Sequence, residues 1–325
     1  TTFTVKVKDT TPDKSEVINY ATVYFPSVPE ATRTNGTVNK VTTFTDNVPP
    51  TTAASIAPLP NPAGWNNSDV TVTLTATDAE EGSGVKDIHY KLTGAVSDEK
   101  VIPGNTTSIS ISSEGTTTLT YYALDNTGNA EPQKTLEIKL DKTPPSITAA
   151  ISPLPNSYGW NNSNVTVTFT ATDTLSGIQS ITEPVTVTTE GANQHIGGEA
   201  VDIAGNRATT YVILNIDKTP PTVTITATPN MLWPPNHKMV GVTVGGQATD
   251  SLSGITSTAF KVTDEYKTVE PLISGFNTTI QLESWRNGND LDGRLYTILV
   301  ATKDKADNQA TASTKVICPH DQGKK

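Results

Sequence analysis

The side chains able to do chemistry are few and mostly acidic. Asp and Glu number 33 against 23 Lys and Arg, with 4 His and a single cysteine, Cys318. His89, His195, His237 and His320 share no paired metal spacing and no HExxH pattern. No GxSxG, Walker A or strand-borne GxGxxG is present. Glu265, Glu270, Glu283, Asp290 and Asp292 crowd one stretch. A carboxylate pair for glycoside hydrolysis would sit there, but such chemistry needs a deep cleft in a larger frame. The expectation is a protein without an active site. Other aspartates stand out by repetition. Asp78, Asp173 and Asp250 each close an Ala-Thr-Asp triplet, and Asp125, Asp202 and Asp304 each open a second short signature. Asp46, Asp141 and Asp217 each precede a Pro-Pro pair.

The elements that must position these aspartates read as strands. Val165, Val167, Phe169 and Ala171 alternate with threonines up to Asp173, and Ser176-Gly177-Ile178 follows. Side chains on a strand point to opposite faces with period two, so this is a half-buried strand with a wet threonine face. The same text occurs at Val70–Asp78, before Ser83-Gly84-Val85, and more loosely before Asp250 and Ser253-Gly254-Ile255. The later signatures are Asp125-Asn126-Thr127-Gly128-Asn129, Asp202-Ile203-Ala204-Gly205-Asn206 and Asp304-Lys305-Ala306-Asp307-Asn308. Glycine there suits φ > 0, and Asp307, standing in its place, is of a type that tolerates the left-handed region. The signature is expected to join the last two strands of each repeat as a hairpin. The two signatures are close together in the middle repeat, from Asp173 to Asp202, and far apart in the others. The middle repeat is therefore expected to lack one hairpin of the first, Asp87–Leu92 with a partner near Val101-Ile102.

The linkers are Asp46-Asn47-Val48-Pro49-Pro50, Asp141-Lys142-Thr143-Pro144-Pro145 and Asp217-Lys218-Thr219-Pro220-Pro221. Proline fixes φ and restricts its predecessor, so each is a stiff, extended joint. Trp65, Trp160 and Trp233 each precede a threonine-alternating strand and are expected to cover one end of a small core; sugar stacking is the sharper reading of such a ring. Residues 1–46 offer three strands, around Phe3–Val7, Val17–Phe25 and Thr37–Phe44, too few to close a sandwich. They read as a partial β domain: the last strands of an upstream module, or strands exchanged between chains, on a processed product or fragment.

Composition agrees with several small cores. Hydrophobic residues are 34%, which is too apolar for disorder yet lean for one large core. A net charge of −10 argues against nucleic acid, because phosphate binding needs a basic surface. It suits divalent cations, or simply solubility. No run of about 18 apolar residues exists, so no membrane span is expected. One cysteine excludes an intrachain disulfide; Cys318 is expected in a solvated tail, as a bystander or an interchain crosslink.

DKTPP, GWNNS-x-VTVT, ATD-x-x-SGI and A-x-D-x-AGN together resemble the tandem bacterial immunoglobulin-like modules of large surface proteins, including the OmpL47-type and cadherin-like ones. The resemblance covers roughly residues 47–325, and the segment Ile18–Asn39 resembles the end of a prokaryotic surface-protein repeat domain. It implies an all-β fold of tandem Ig-like antiparallel sandwiches: 47–142, a short one at 143–218, and a divergent one at 219–325 with a hairpin insert from Tyr266 to Arg294. It implies a non-enzymatic extracellular spacer or adhesive rod at the cell surface, with other surface proteins or copies of itself as partners.

The resemblance also implies calcium near the joints, held by Asp46, Asp78 and Asp125, by Asp141, Asp173 and Asp202, and by Asp217, Asp250 and Asp304. Asn129, Asn206 and Asn308 would add amide oxygens. The competing reading of the same aspartates is turn capping, by accepting backbone N–H bonds. Two other functions stay open at this level. One is a filament subunit assembled by β-strand exchange. The other is an ancillary carbohydrate-binding region of a secreted enzyme, with Trp233 and Trp285 touching the glycan or partner.

Overall fold

The computed structural model describes residues 46–80, 82–267 and 273–321, together with four short strand segments before residue 41. The chain divides into two compact units, Thr1–Lys142 and Thr143–Lys325. Among the described residues every regular element is a strand.

In the first unit β1 (Glu16–Asn19) pairs with β4 (Thr37–Lys40), and β2 (Thr22–Val23) with β3 (Thr32–Arg33), all antiparallel. The strand expected around Phe3–Val7 lies outside the described residues. Eight strands follow: β5 (Thr51–Ala57), β6 (Trp65–Asn66), β7 (Val70–Thr77), β8 (Val85–Gly94), β9 (Asp98–Pro103), β10 (Thr106–Ile111), β11 (Gly115–Asp125) and β12 (Lys134–Leu140). They form a three-stranded sheet, β10-β7-β5, and a five-stranded sheet, β6-β12-β11-β8-β9. The alternation in β7 sorts its residues by face: Val70, Val72, Leu74 and Ala76 are fully buried and the threonines between them face outward. Opposite them, from the other sheet, lie Ile88, Tyr90, Leu119, Tyr121 and Ile138. This is an immunoglobulin-like sandwich, two sheets, antiparallel except for the short parallel pair β6–β12, closed on one core. Ile88 stands opposite Ile102 and His89 opposite Val101, which is the hairpin expected of this repeat.

The second unit contains two such cores. The first is built by β13 (Ser146–Ser152), β14 (Val165–Thr172), β15 (Ile178–Ile181), β16 (Val185–Val187), β17 (Gly191–Asp202) and β18 (Arg207–Ile216). Its sheets are β13-β14-β16 and β15-β17-β18, and Val165, Val167, Phe169, Leu214 and Ile216 fill its centre. The second is built by β19 (Thr222–Thr228), β20 (Lys238–Thr249), β21 (Ile255–Asp264), β22 (Thr278–Ser284), β23 (Arg294–Asp304) and β24 (Gln309–Cys318). Its sheets are β19-β20-β22 and β21-β23-β24, around Val242, Leu282, Tyr296, Ile298 and Val316. The fold is all-β: tandem Ig-like sandwiches in series with the Pro-Pro segments.

Three expectations need correction. Among the described residues the segment from Tyr266 to Arg294 forms no hairpin insert of its own: its strand, β22, belongs to the sheet of β19 and β20 and pairs with β20, Val240 opposite Leu282. Trp233 does not cover a core. It is 41% exposed, and the neighbouring Leu232, at 1%, takes the buried place. Cys318 is not in a solvated tail but closes β24 inside the core, where burial pushes its thiol up.

Candidate metal centre

Each acidic signature sits where the chain turns at one end of a sandwich. Asp46 precedes β5, Asp78 follows β7, and Asp125 ends β11. Strand-ending turns leave backbone N–H groups unpaired, and short carboxylates satisfy them locally. Asp125 Oδ1 accepts from Thr127 N (2.9 Å) and Asn129 N (2.8 Å). Asp78 Oδ2 accepts from Gly84 N at 2.7 Å. Asp46 caps its own linker through Val48 N (3.0 Å) and reaches the Ser-Gly turn through Ser83 N (2.8 Å). Turn capping is thus observed directly.

The same folding brings the three carboxylates together. Asp46, Asp78 and Asp125 each offer an oxygen within 4.8 Å of the others. Asp46 is 8% exposed and Asp125 fully buried. The third set repeats this: Asp217, Asp250 and Asp304 also converge within 4.8 Å, with Asp217 and Asp304 fully buried. Three of its bonds match those of the first set. Asp250 Oδ1 accepts from Gly254 N (2.6 Å), Asp304 Oδ1 from Asn308 N (2.8 Å), and Asp217 Oδ2 from Ser253 N (3.1 Å). Of the middle set, Asp173 and Asp202 lie in the second unit. Asp173 accepts from Gly177 N at 2.7 Å, and Asp202 from Gly205 N at 2.7 Å and Asn206 N at 2.8 Å. Asp141, buried at the end of the first unit, donates its backbone N–H to Asn66 O at 3.0 Å.

The asparagines correct the sequence expectation. Asn129 and Asn308 do not turn amide oxygens toward the carboxylates; they turn Nδ2. Asn129 Nδ2 donates to Asp125 Oδ2 (2.6 Å) and to the linker carbonyl of Asp46 (2.9 Å). Asn308 Nδ2 does the same to Asp304 Oδ2 and Asp217 O, both at 2.8 Å. Each asparagine therefore ties the linker to the hairpin rather than offering a ligand. Sequence reasoning missed this role because Asn presents a donor and an acceptor at nearly the same place.

The electrostatics favour a cation. Among the described residues, no Lys or Arg lies in ion-pair contact with the six aspartates of the first and third sets. Two unit charges about 5 Å apart repel by roughly 3 kcal/mol at an effective dielectric near 20. Burial pushes the Asp125 carboxyl up, but the bonds from Asn129 and Thr127 outweigh it and hold it at about 2, so that carboxylate stays charged. The donor set fits calcium. Oxygens bound at about 2.4 Å on opposite sides of one ion stand at most about 4.8 Å apart, and calcium accepts carboxylates with water filling the remaining positions.

Trp285 and Trp233 are placed differently. Trp285 is half-buried and stacks on His237, with ring centroids 5.0 Å apart. The Arg294 guanidinium lies 5.6 Å from the Trp285 ring and is itself bonded to Asp264 and Glu283. Trp285 is thus a wall of its own sandwich's polar core.

No protein-family model and no curated protein sequence matches the chain. Several solved structures are similar. The CbhA fibronectin(III)-like modules of Clostridium thermocellum align over 50% of this chain and 95% of theirs, at 16% identity and a TM-score of 0.25. A tetra-tandem repeat from the extending region of a large adhesion protein aligns over 93% of this chain and 81% of its own, at 16% identity and a TM-score of 0.31. Cadherin domains 1–4 of protocadherin gamma B7 align over 94% and 83%, at 12% identity and a TM-score of 0.35. All three superpositions are loose, and the fold rests on the sheets and cores described above.

Proposed function

We propose that the chain is a non-enzymatic spacer of an extracellular surface protein, built from modules at 47–142, 143–218 and 219–325. Calcium at the first and third aspartate clusters fixes the Pro-Pro linkers that follow Asp46 and Asp217 to the modules they enter. The observation that carries this reading is the composition of the clusters. Each takes one aspartate from the linker (Asp46, Asp217), one from a strand end (Asp78, Asp250) and one from the hairpin (Asp125, Asp304). Capping of the adjacent Ser83 and Gly84 amides draws Asp46 and Asp78 together, but it leaves three carboxylates within 4.8 Å of one another with no Lys or Arg paired to them among the described residues. A cation there would bind linker, sheet and hairpin at once, and would stabilise the folded state by mass action.

The test is thermal unfolding and calorimetric titration of the full chain in chelator, in magnesium and in calcium. Calcium is expected to raise the melting temperature and to bind with heat, and the double variant Asp250→Asn/Asp304→Asn is expected to lose part of both. Superimposable melts in calcium and chelator, with no binding heat, would overturn the calcium reading.

A further inference from the structure

The middle sandwich leaves part of a central strand unpaired on one side. In the first unit, β8 runs along β11 from Val85 opposite Asp125 to Gly94 opposite Thr117. In the last sandwich, β21 runs along β23 from Ile255 opposite Asp304 to Asp264 opposite Tyr296. The corresponding strand, β15, covers β17 only between Ile178 and Ile181, opposite Asp202 to Ala200. Thr182 adds one more step, donating its N–H to Glu199 O at 2.9 Å and accepting from Glu199 N at 2.9 Å through Oγ1. The chain then crosses to β16, which pairs with β14 in the other sheet. Among the described residues, no strand pairs with that side of Gln194–Gly198.

Backbone groups alternate sides along a strand. Those of Glu199 face the open side, so those of Gly197 and His195 face it too. Both residues are exposed. Exposed edges are usually guarded by charge or proline. The edge strand β9 has Asp98, Glu99, Lys100 and Pro103, whereas Gln194–Gly198 has no charge and no proline.

We propose that this edge is a pairing surface for a second copy of the same chain, β17 against β17 in antiparallel register about a two-fold axis at Ile196. That register sets His195 of each copy opposite Gly197 of the other. These are the residues whose groups face the edge, so each pair exchanges both of its hydrogen bonds. Centring the axis on Gly197 instead would match His195 with Glu199, whose groups Thr182 already occupies, and would leave only the Gly197 pair; the Ile196 axis keeps both His195–Gly197 pairs and meets Glu199 only with Asn193, at the register break between Gly191 and Gln194 where the pairing ends. The side chains agree with the choice. Gly197 leaves a shallow recess beside Tyr211, with Thr182 and Thr209 on its walls. Tyr211 is 63% exposed and stacks with His195 of its own chain, centroids 5.4 Å apart. The imidazole of the second copy fills the recess over Gly197 and extends that stack. An unrelated extended peptide would satisfy the hydrogen bonds without this reciprocal fit. A self-complementary patch of this kind closes a two-fold dimer.

The test uses the full chain in sedimentation velocity, from dilute solution to about 1 mM, where weak edge pairing registers. It is run both in chelator and in calcium, so that the outcome is independent of the metal reading. The wild type is expected to double in mass with concentration and to slow amide exchange at His195 and Gly197 as it does so. His195→Lys/Gly197→Lys puts like charges opposite each other and is expected to remain monomeric. A Cβ at Gly197 would meet only Thr210 O, at 3.8 Å, so folding is not threatened. His195→Lys/Gly197→Glu puts opposite charges together and is expected to recover association. A wild type that stays monomeric throughout overturns the proposal. So does a double-lysine variant that associates as the wild type does, which would place the contact elsewhere, for example on a strand donated by another part of the chain.

Discussion

Asp307 accepts a hydrogen bond from the Asn156 side chain at 2.7 Å, and the two residues belong to different sandwiches of the second unit. Asn156 Nδ2 also donates to Lys305 O at 2.8 Å, and Lys303 closes on Asp307 at 2.6 Å. Gly128 and Gly205 hold the matching turn position in the other hairpins, at φ 92° and 98°; Asp307 holds it at φ 74°. The departure from glycine thus carries an acceptor toward the loop ahead of Trp160. Asp307→Gly is expected to keep the hairpin and release the loop, seen as faster amide exchange at Tyr158–Trp160. Asp307→Asn keeps an acceptor and is expected to stay near wild type.

Asp125 gives the first unit an acid-sensitive step. Its carboxyl is held at about 2, below the ordinary 3.8, because bonds from Asn129 and Thr127 outweigh the effect of burial. A depressed carboxylate contributes stability that is complete above the unfolded value and is lost as pH falls through the folded one. Denaturation midpoints in chelator should therefore drop between about pH 4 and pH 2. Asp125→Asn should flatten that part of the profile, since the amide does not titrate.

Arg294 and Asp264 form an ion pair with both side chains fully buried. Arg294 also bonds Glu283 at 3.1 Å and lies 4.7 Å from the Tyr296 ring. Removing one partner strands a buried charge. Arg294→Ala is expected to cost about 3–5 kcal/mol in the last sandwich, measured by denaturant unfolding. Replacing both partners with apolar residues, Arg294→Met/Asp264→Leu, is expected to recover much of that loss.

Gly198 lies against the Phe169 ring, and a Cβ there would overlap it. Gly198→Ala is expected to destabilise the middle sandwich by about 1–3 kcal/mol through overpacking. The companion Phe169→Leu should relieve it in the double variant, and the coupling between the two changes is the measurement.

Much of the fold was legible because it is written locally. Period-two alternation in Val70–Ala76 and Val165–Ala171 names the buried face without knowing what lies opposite. The glycines of the hairpin signature adopt the φ > 0 they were expected to need, at Gly128 and Gly205. The third repeat was read less well because its motifs drift. Leu232 rather than Trp233 fills the core, and β22 joins the sheet of β19 and β20, since burial is decided by which neighbours arrive and not by residue type alone.

The sequence by itself determined the alternating strands and hairpin turns of the repeats, the repeat order and the positions of the aspartates. Only the tertiary structure decided that linker, strand end and hairpin present their oxygens to one point. The linker carboxylate of Asp217 reaches Ser253 across 36 residues, and Asn308 reaches the Asp217 carbonyl across 91. The open side of β17 is likewise invisible in β17 itself, because it depends on how soon the chain leaves after Thr182. Alternation and turn chemistry act between adjacent residues, whereas convergence and edge exposure are set by packing between distant ones.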